Sequence, residues 1–496
     1  MEPSIHELNS IYNYWEGGSD EEDAQSSRTL QRIPVDYDDD DDTMSVTSNT
    51  MLLDDADVDD ESEGASTPRT LRGFEEGGDG DNGLKIGEPG EHKASNLSTY
   101  FNIVCIVAGT GILQLPYALS EGGWSAVFLI ALAALMSNFT ANATVRCLYY
   151  KDGIRLDGYS DVAYEAFGSK GRKFVSFFKS ATLTAASSLF IVLTATNITQ
   201  LLQDTSFAHL SIGFWIKVCV VFAWTPLVIK KSIHEVAILS MFSTLSTVVM
   251  VIVVVYICGR DIVARENMPD LTAIDIKKIP TALSSIFFSY GGNFVFPEVE
   301  GGMKYPKSFE RVQGSASITV FLMYALVAVM GYAAYASDTK SPVFLNMKSG
   351  PLLIIANSMV TAHAILTAPI MMASVCMNLE QDLNVVPVTR PRSEQKIRRF
   401  LFRTFMMLVV FCLAYYCPYF DDLVQLIGAF AESLLVFVFP AMFYLILQSK
   451  KGPLSIFTWA WCSLVILVGL YCCTAGTWSG ITSLISHIQN AKPSKG

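Results

Sequence analysis

The chain has 496 residues, of which 51% are hydrophobic and only 17% charged, against about 25% charged in a typical soluble protein. Its formal net charge of −12 averages two unlike parts: residues 1–95 hold 26 acidic and 6 basic residues, and the rest hold 21 and 29. A greasy, mildly basic body excludes a soluble enzyme, a nucleic-acid-binding protein and a secreted disulfide scaffold, and the ten cysteines, all in or beside apolar runs, read as small hydrophobes.

Residues 1–95 are rich in Asp, Glu, Ser, Thr and Gly, with a self-repelling run at Asp38-Asp39-Asp40-Asp41-Asp42. Such a segment cannot bury enough apolar surface to offset its ordering entropy, so it is predicted to be a disordered acidic tail. No apolar leader precedes the acidic tract, which places the tail on the cytoplasmic side. Ser19 and Ser62, each followed by acidic residues, are candidate kinase sites, and Leu52-Leu53 is a weak candidate for a sorting partner.

A helix needs about 20 apolar residues to cross a bilayer. From residue 96 onward eleven stretches qualify: 97–120, 124–148, 174–203, 210–229, 235–258, 279–300, 312–336, 351–378, 398–417, 420–447 and 455–487. We number them span 1 to span 11. With the N-terminus cytoplasmic, the cytoplasmic connections carry 20 Lys and Arg and the opposite ones 8, the asymmetry of the positive-inside rule. The C-terminus is then expected in the lumen.

Spans 1 and 6 are interrupted in the same way. Each carries glycines, then Gly-x-x-x-x-Pro (Gly111 to Pro116, Gly292 to Pro297), then Gly-Gly (Gly122-Gly123, Gly301-Gly302). Glycine weakens a helix and proline removes a backbone donor. Two matched breaks five spans apart are what a transporter of two inverted five-helix repeats shows. The expected fold is all-α integral membrane, with about 11 transmembrane helices: repeat 1 over 97–258, repeat 2 over 279–447 and an extra helix over 455–487. Non-helical backbone at mid-membrane persists where it lines a cavity or is buried in protein, so the breaks mark the expected binding site. Gly109, Thr110 and Gly111 would offer backbone N–H groups to a substrate carboxylate. Ser289, Tyr290, Gly291, Gly292 and Asn293 would hold its amino group through carbonyls freed by the break.

Three motifs in order carry a family likeness: Gly109-Thr110-Gly111-Ile112-Leu113-Gln114-Leu115-Pro116-Tyr117-Ala118, Gly158-Tyr159-Ser160-Asp161-Val162-Ala163-Tyr164-Glu165-Ala166-Phe167-Gly168, and Phe288 to Met303 across the second break. Over residues 96–485 the chain resembles the amino acid/auxin permease family, on the branch of vacuolar amino acid transporters and the vesicular inhibitory amino acid transporter. The resemblance implies a LeuT-like fold and amino acid transport by alternating access. In vacuolar and vesicular members, lumenal protons are exchanged for cytosolic amino acid. The sodium-coupled relatives carry Asn where this chain has Cys105, a poor ligand for a hard cation, which points to protons.

Intramembrane ionisable residues are costly and mark function. Glu432 in span 10 and His363 in span 8 are the candidate proton-coupling groups. A structural hydrogen bond for Glu432 and a packing role for His363 are the plainer alternatives. Glu298 and Glu300, beyond the span 6 break, are candidate gate residues with Lys304 or Lys307 as partners, and plain solvation at the mouth is the equal alternative. Asn197 belongs to a polar stripe in span 3, and Lys217, near one end of span 4, is expected to snorkel. No cofactor or metal motif is present, and no nucleic-acid partner is expected. The expected function is proton-coupled exchange of neutral amino acids across a vacuolar, lysosomal or vesicular membrane. The rival is an amino-acid sensor of the same fold with a signalling tail.

Overall fold

In the computed structural model the described residues are 94–490, apart from 152–153, 204, 230–235, 266–269, 349, 384 and 388–390. The predicted tail, with its kinase and sorting candidates, lies outside them except for its last two residues. The described residues form helices, short 3-10 turns and two isolated bridges.

Eight helical segments are long and apolar enough to cross a membrane. The other three predicted spans are the 18-residue Ile212–Ile229, the broken span 6, and Arg392–Tyr416, whose first turns carry arginines. Large side chains such as Phe128, Leu135, Leu322 and Leu467 point outward, as they do when lipid replaces water around a helix bundle.

Spans 1 and 6 share one element order. Span 1 runs Asn96–Val107, a 3-10 turn at Thr110–Gln114, then Leu115–Gly122; span 6 runs Ile279–Ser289, a 3-10 turn at Asn293–Val295, then Phe296–Gly301. Pro116 and Pro297 each sit in the first turn of the second half, where a missing N–H costs nothing. Gly292 has φ 101°, a left-handed conformation that favours glycine.

Span 3 departs from its expected start. The helix begins at Tyr159 and continues to Leu201, bent at Gly168, where φ is 72°. The motif Gly158 to Gly168 is therefore mostly helical, not a loop. Span 10 also departs: Phe420–Leu426 and Phe439–Lys451 flank a π-helical stretch at Ile427–Val438, and span 11 carries a second one at Cys472–Gly476. Here spans 6, 10 and 11 touch at small residues. Gly428 lies against the Ser284 carbonyl, and a Cβ on Gly476 would press on Ser284 Oγ and Ala429. Small residues let helix backbones approach in a membrane. Lys217 sits over the Tyr415 ring, 5.4 Å from its centroid. None of the ten cysteines is in a disulfide, and six are buried.

Candidate functional site

The two breaks meet. Ser289 Oγ lies 2.9 Å from the Gly111 carbonyl, to which it can donate. A Cβ on Gly111 would stand 2.7 Å from Ser289 Cα, and one on Gly292 would stand 2.7 Å from Ile106 Cγ2. Gln114 Nε2 donates to the Ser285 carbonyl at 3.0 Å, again across the two spans.

The carbonyls released by the breaks find partners. The Tyr324 hydroxyl of span 7 lies 2.6 Å from the Val107 carbonyl and 2.5 Å from the Ser289 carbonyl. One phenol proton is therefore shared between the last turns of both first halves. From span 5, Thr247 Oγ1 reaches the Ala108 carbonyl at 3.3 Å. Each group satisfies backbone that would otherwise be stranded in a low-dielectric interior.

The predicted substrate residues do not share one environment. Gly109 is open: a Cβ there would meet only the Cys105 carbonyl, at 3.7 Å. The Thr110 side chain lies outside what the structure describes. Tyr290 is buried, its hydroxyl has no hydrogen-bond partner among the described residues, and its ring stands 5.1 Å from that of Tyr324. Asn293, by contrast, turns to span 2. Its Nδ2 lies 3.0 Å from the Ser137 carbonyl, 3.1 Å from Ser137 Oγ and 3.3 Å from Thr140 Oγ1. That side chain fastens the break to the scaffold, and a substrate contact from it would have to displace these bonds.

Glu432 and His363 occupy different places. Glu432 is buried in the π-helical stretch, and the backbone N–H of Gly292 is turned to its carboxylate. A Cβ on Gly291 would lie 2.8 Å from Glu432 Cδ, and Glu432 Oε2 has no partner. His363 sits behind the other break: Nε2 is 3.4 Å from Ser243 Oγ of span 5, Nδ1 is 3.3 Å from Thr367 Oγ1, and its ring meets the edge of Phe190. One turn along span 5 from Ser243 stands Thr247, which holds the Ala108 carbonyl.

Glu298 and Glu300 meet cations other than the expected Lys304 and Lys307. Fully buried Glu300 receives Arg155 Nη2 at 2.7 Å and the Tyr149 hydroxyl. Burial and the neighbouring Glu300 carboxylate push the Tyr149 phenol up to about 12, so it stays a donor near neutral pH. Arg155 Nη2 also donates to the Pro297 carbonyl at 2.6 Å, and Lys179 Nζ pairs with Glu298 at 2.8 Å. These cations come from the connection before span 3 and from span 3 itself, not from the near end of span 6. At the same end the chain entering span 1 is pinned: Ala94 N donates to the Gly302 carbonyl and Lys304 N to the Ala94 carbonyl, each at 2.9 Å.

Sequence reading missed Tyr324, Tyr149, Arg155, Lys179, Ser243 and Thr247. Tyr159 lay in a recognised motif, but its role was not visible. Its hydroxyl donates to the Leu435 carbonyl of span 10 at 2.6 Å, and its ring packs edge-on to Phe294 and Phe443. None of the six is marked in sequence, because each is defined by a partner on a distant span.

Paired breaks in the first and sixth spans of a helical membrane protein define a LeuT-like secondary transporter. The chain belongs to the family described as transmembrane amino acid transporter protein, which it matches over residues 92–482. It is similar to Amino acid transporter AVT1E of Arabidopsis thaliana, 27% identical over 413 residues, covering 81% of this chain and 76% of that protein. It is also similar to the vesicular inhibitory amino acid transporter of Xenopus tropicalis, 28% identical over 394 residues, covering 75% and 74%. Among solved structures, MhsT in complex with L-phenylalanine aligns over 78% of this chain and 99% of that one, with TM-score 0.50 and 13% identity, a likeness of fold. The protein is thus a multi-pass membrane transporter of amino acids, not an enzyme.

Proposed function

We propose that the protein is a proton-coupled exchanger of neutral amino acids in a vacuolar, lysosomal or vesicular membrane. It would take up cytosolic amino acid against release of lumenal protons by alternating access. The observation that carries this reading is the position of Glu432: a buried carboxylate pressed against Gly291-Gly292, where the span 6 helix is open. A proton arriving there changes the charge beside the backbone that would hold substrate. Ionised, Glu432 competes for the Gly292 N–H; neutral, it releases that demand.

In this reading the substrate carboxylate takes backbone N–H groups of Gly109–Gly111. The Ser289 carbonyl is already held by Tyr324, so the amino group falls to the backbone at Tyr290-Gly291. Tyr290 supplies a hydroxyl with no protein partner. The charge of Glu432 would repel an acidic side chain, which supports a neutral substrate. His363 holds a second proton position, linked to the span 1 break through Ser243 and Thr247. The pairs Glu300–Arg155 and Glu298–Lys179 close the cytoplasmic mouth, and the 20 to 8 distribution of Lys and Arg supports that orientation. The name of the Xenopus relative supports a vesicle-type membrane.

The test is uptake of a labelled amino acid panel into proteoliposomes with an acidic interior, with and without an uncoupler. Uptake that collapses on uncoupling is expected. Glu432→Gln should abolish gradient-driven accumulation while keeping exchange of labelled for unlabelled substrate. Accumulation by Glu432→Gln with unchanged pH dependence would overturn the role of Glu432. Binding without flux in the wild type would support the sensor instead.

A further inference from the structure

A shallow groove of about 440 Å³ runs between the bent start of span 3 and the second half of span 10. Phe167, Gly171, Phe174, Val175, Phe439 and Met442 give it apolar walls, and Lys170 is the one charged side chain in its lining. Two of the lining residues, Phe167 and Lys170, flank Gly168, whose φ of 72° turns the helix. A Cβ on Gly168 would meet nothing within 4 Å, so glycine is required there by the backbone angle, not by a close neighbour. The bend serves no contact at Gly168 itself; it separates Phe167 from the other span 3 residues that line the groove.

The rim is cationic. Lys170 and Lys173 are exposed, and among the described residues neither has an ion pair, whereas neighbouring Arg172 is drawn to Asp161 and Lys179 to Glu298. Across the groove, Lys450 near the end of span 10 reaches the Glu165 carbonyl at 3.4 Å. Phe174 and Phe177 are 52% and 67% exposed, as side chains facing acyl chains would be. An apolar trough below unpaired lysines matches an acyl chain below an anionic headgroup.

We propose that this groove is a seat for an anionic glycerophospholipid, with the headgroup phosphate at Lys170 and Lys173 and one acyl chain along Phe174, Phe439 and Met442. The seat is lined by residues on both sides of the Gly168 bend and by the part of span 10 that directly follows the stretch carrying Glu432. An occupant therefore bridges spans 3 and 10.

Purified full-length protein in detergent micelles would be titrated with phosphatidylserine or phosphatidylcholine and bound lipid counted by native mass spectrometry, a readout independent of transport and of orientation. Phosphatidylserine should be retained in preference. Lys170→Glu with Lys173→Glu should weaken it on the order of ten- to thirty-fold, and the matching pair of Lys→Arg changes should keep it. Met442→Trp, filling the trough, should also displace it, and chain-free glycerophosphoserine should not compete. Equal retention of both lipids would overturn the proposal. So would unchanged phosphatidylserine binding in either the Lys→Glu or the Met442→Trp protein, provided the thermal midpoint shows it folded.

Discussion

Ser289 and Gly111 face each other across the two broken spans, with the serine hydroxyl 2.9 Å from the glycine carbonyl and no room between them for a methyl group. The obstacle to a Cβ on Gly111 is backbone, which cannot rotate away. Gly111→Ala should separate the breaks and destabilise the fold by about 1–3 kcal/mol, the usual range for overpacking. Ser289→Ala displaces no backbone and removes only a hydroxyl, one that is shared between the Gly111 and Ser285 carbonyls and accepts from Gln114 Nε2, at about 1 kcal/mol. Uptake and thermal midpoints of the two variants should rank in that order, and equal behaviour would mean that the contact does not constrain the breaks.

Tyr324 serves both breaks with one hydroxyl. Tyr324→Phe keeps the ring beside Tyr290 and strands the Val107 and Ser289 carbonyls. The expected cost is about 1–3 kcal/mol, with a loss of uptake larger than that of Ser289→Ala. A variant with wild-type uptake and midpoint would show that neither carbonyl depends on the phenol.

Gly291 and Gly428 both lie against close neighbours but differ in what they touch. An alanine at Gly291 meets the Glu432 carboxylate at 2.8 Å and the Phe288 carbonyl at 3.0 Å, whereas one at Gly428 meets Phe288 N at 2.9 Å and the Ser284 carbonyl far closer still, a harder clash with backbone. Gly428→Ala should therefore be the more damaging to thermal stability. Gly291→Ala should leave the fold largely intact and alter the pH dependence of uptake by displacing the carboxylate. The reverse ranking would place Glu432 in a structural role.

In the proposed gate Glu300 is fully buried and Arg155 is 29% exposed at its side chain. Breaking a fully buried pair costs about 3–5 kcal/mol, and the partial exposure of Arg155 lowers the expected cost of Arg155→Gln to about 2 kcal/mol. The change should shift the protein toward its cytoplasm-open form. Labelling of a cysteine placed at Gly302, beside the Ala94 bridge, should become faster than in wild type. Lys179→Gln, which removes the more exposed Glu298 pair, should have the smaller effect, and unchanged labelling in both would remove the gate role.

The sequence by itself determined the spans and the location of the two breaks. Hydrocarbon leaves the backbone no solvent to bond, so a long apolar run has to be helix, and glycines followed by proline inside such a run have to interrupt it. It also singled out Glu432, since a charge in an apolar stretch is conspicuous on its own. Partnerships are a different matter. That Asn293 turns to Ser137, that Glu300 waits for Arg155 and not Lys304, and that one phenol from span 7 caps both breaks depend on which faces of distant helices meet. The π-helical stretch around Glu432 and the bend at Gly168 likewise arise where helices must pack closely or turn. Local propensity does not encode those demands, and only the packed tertiary structure decides them.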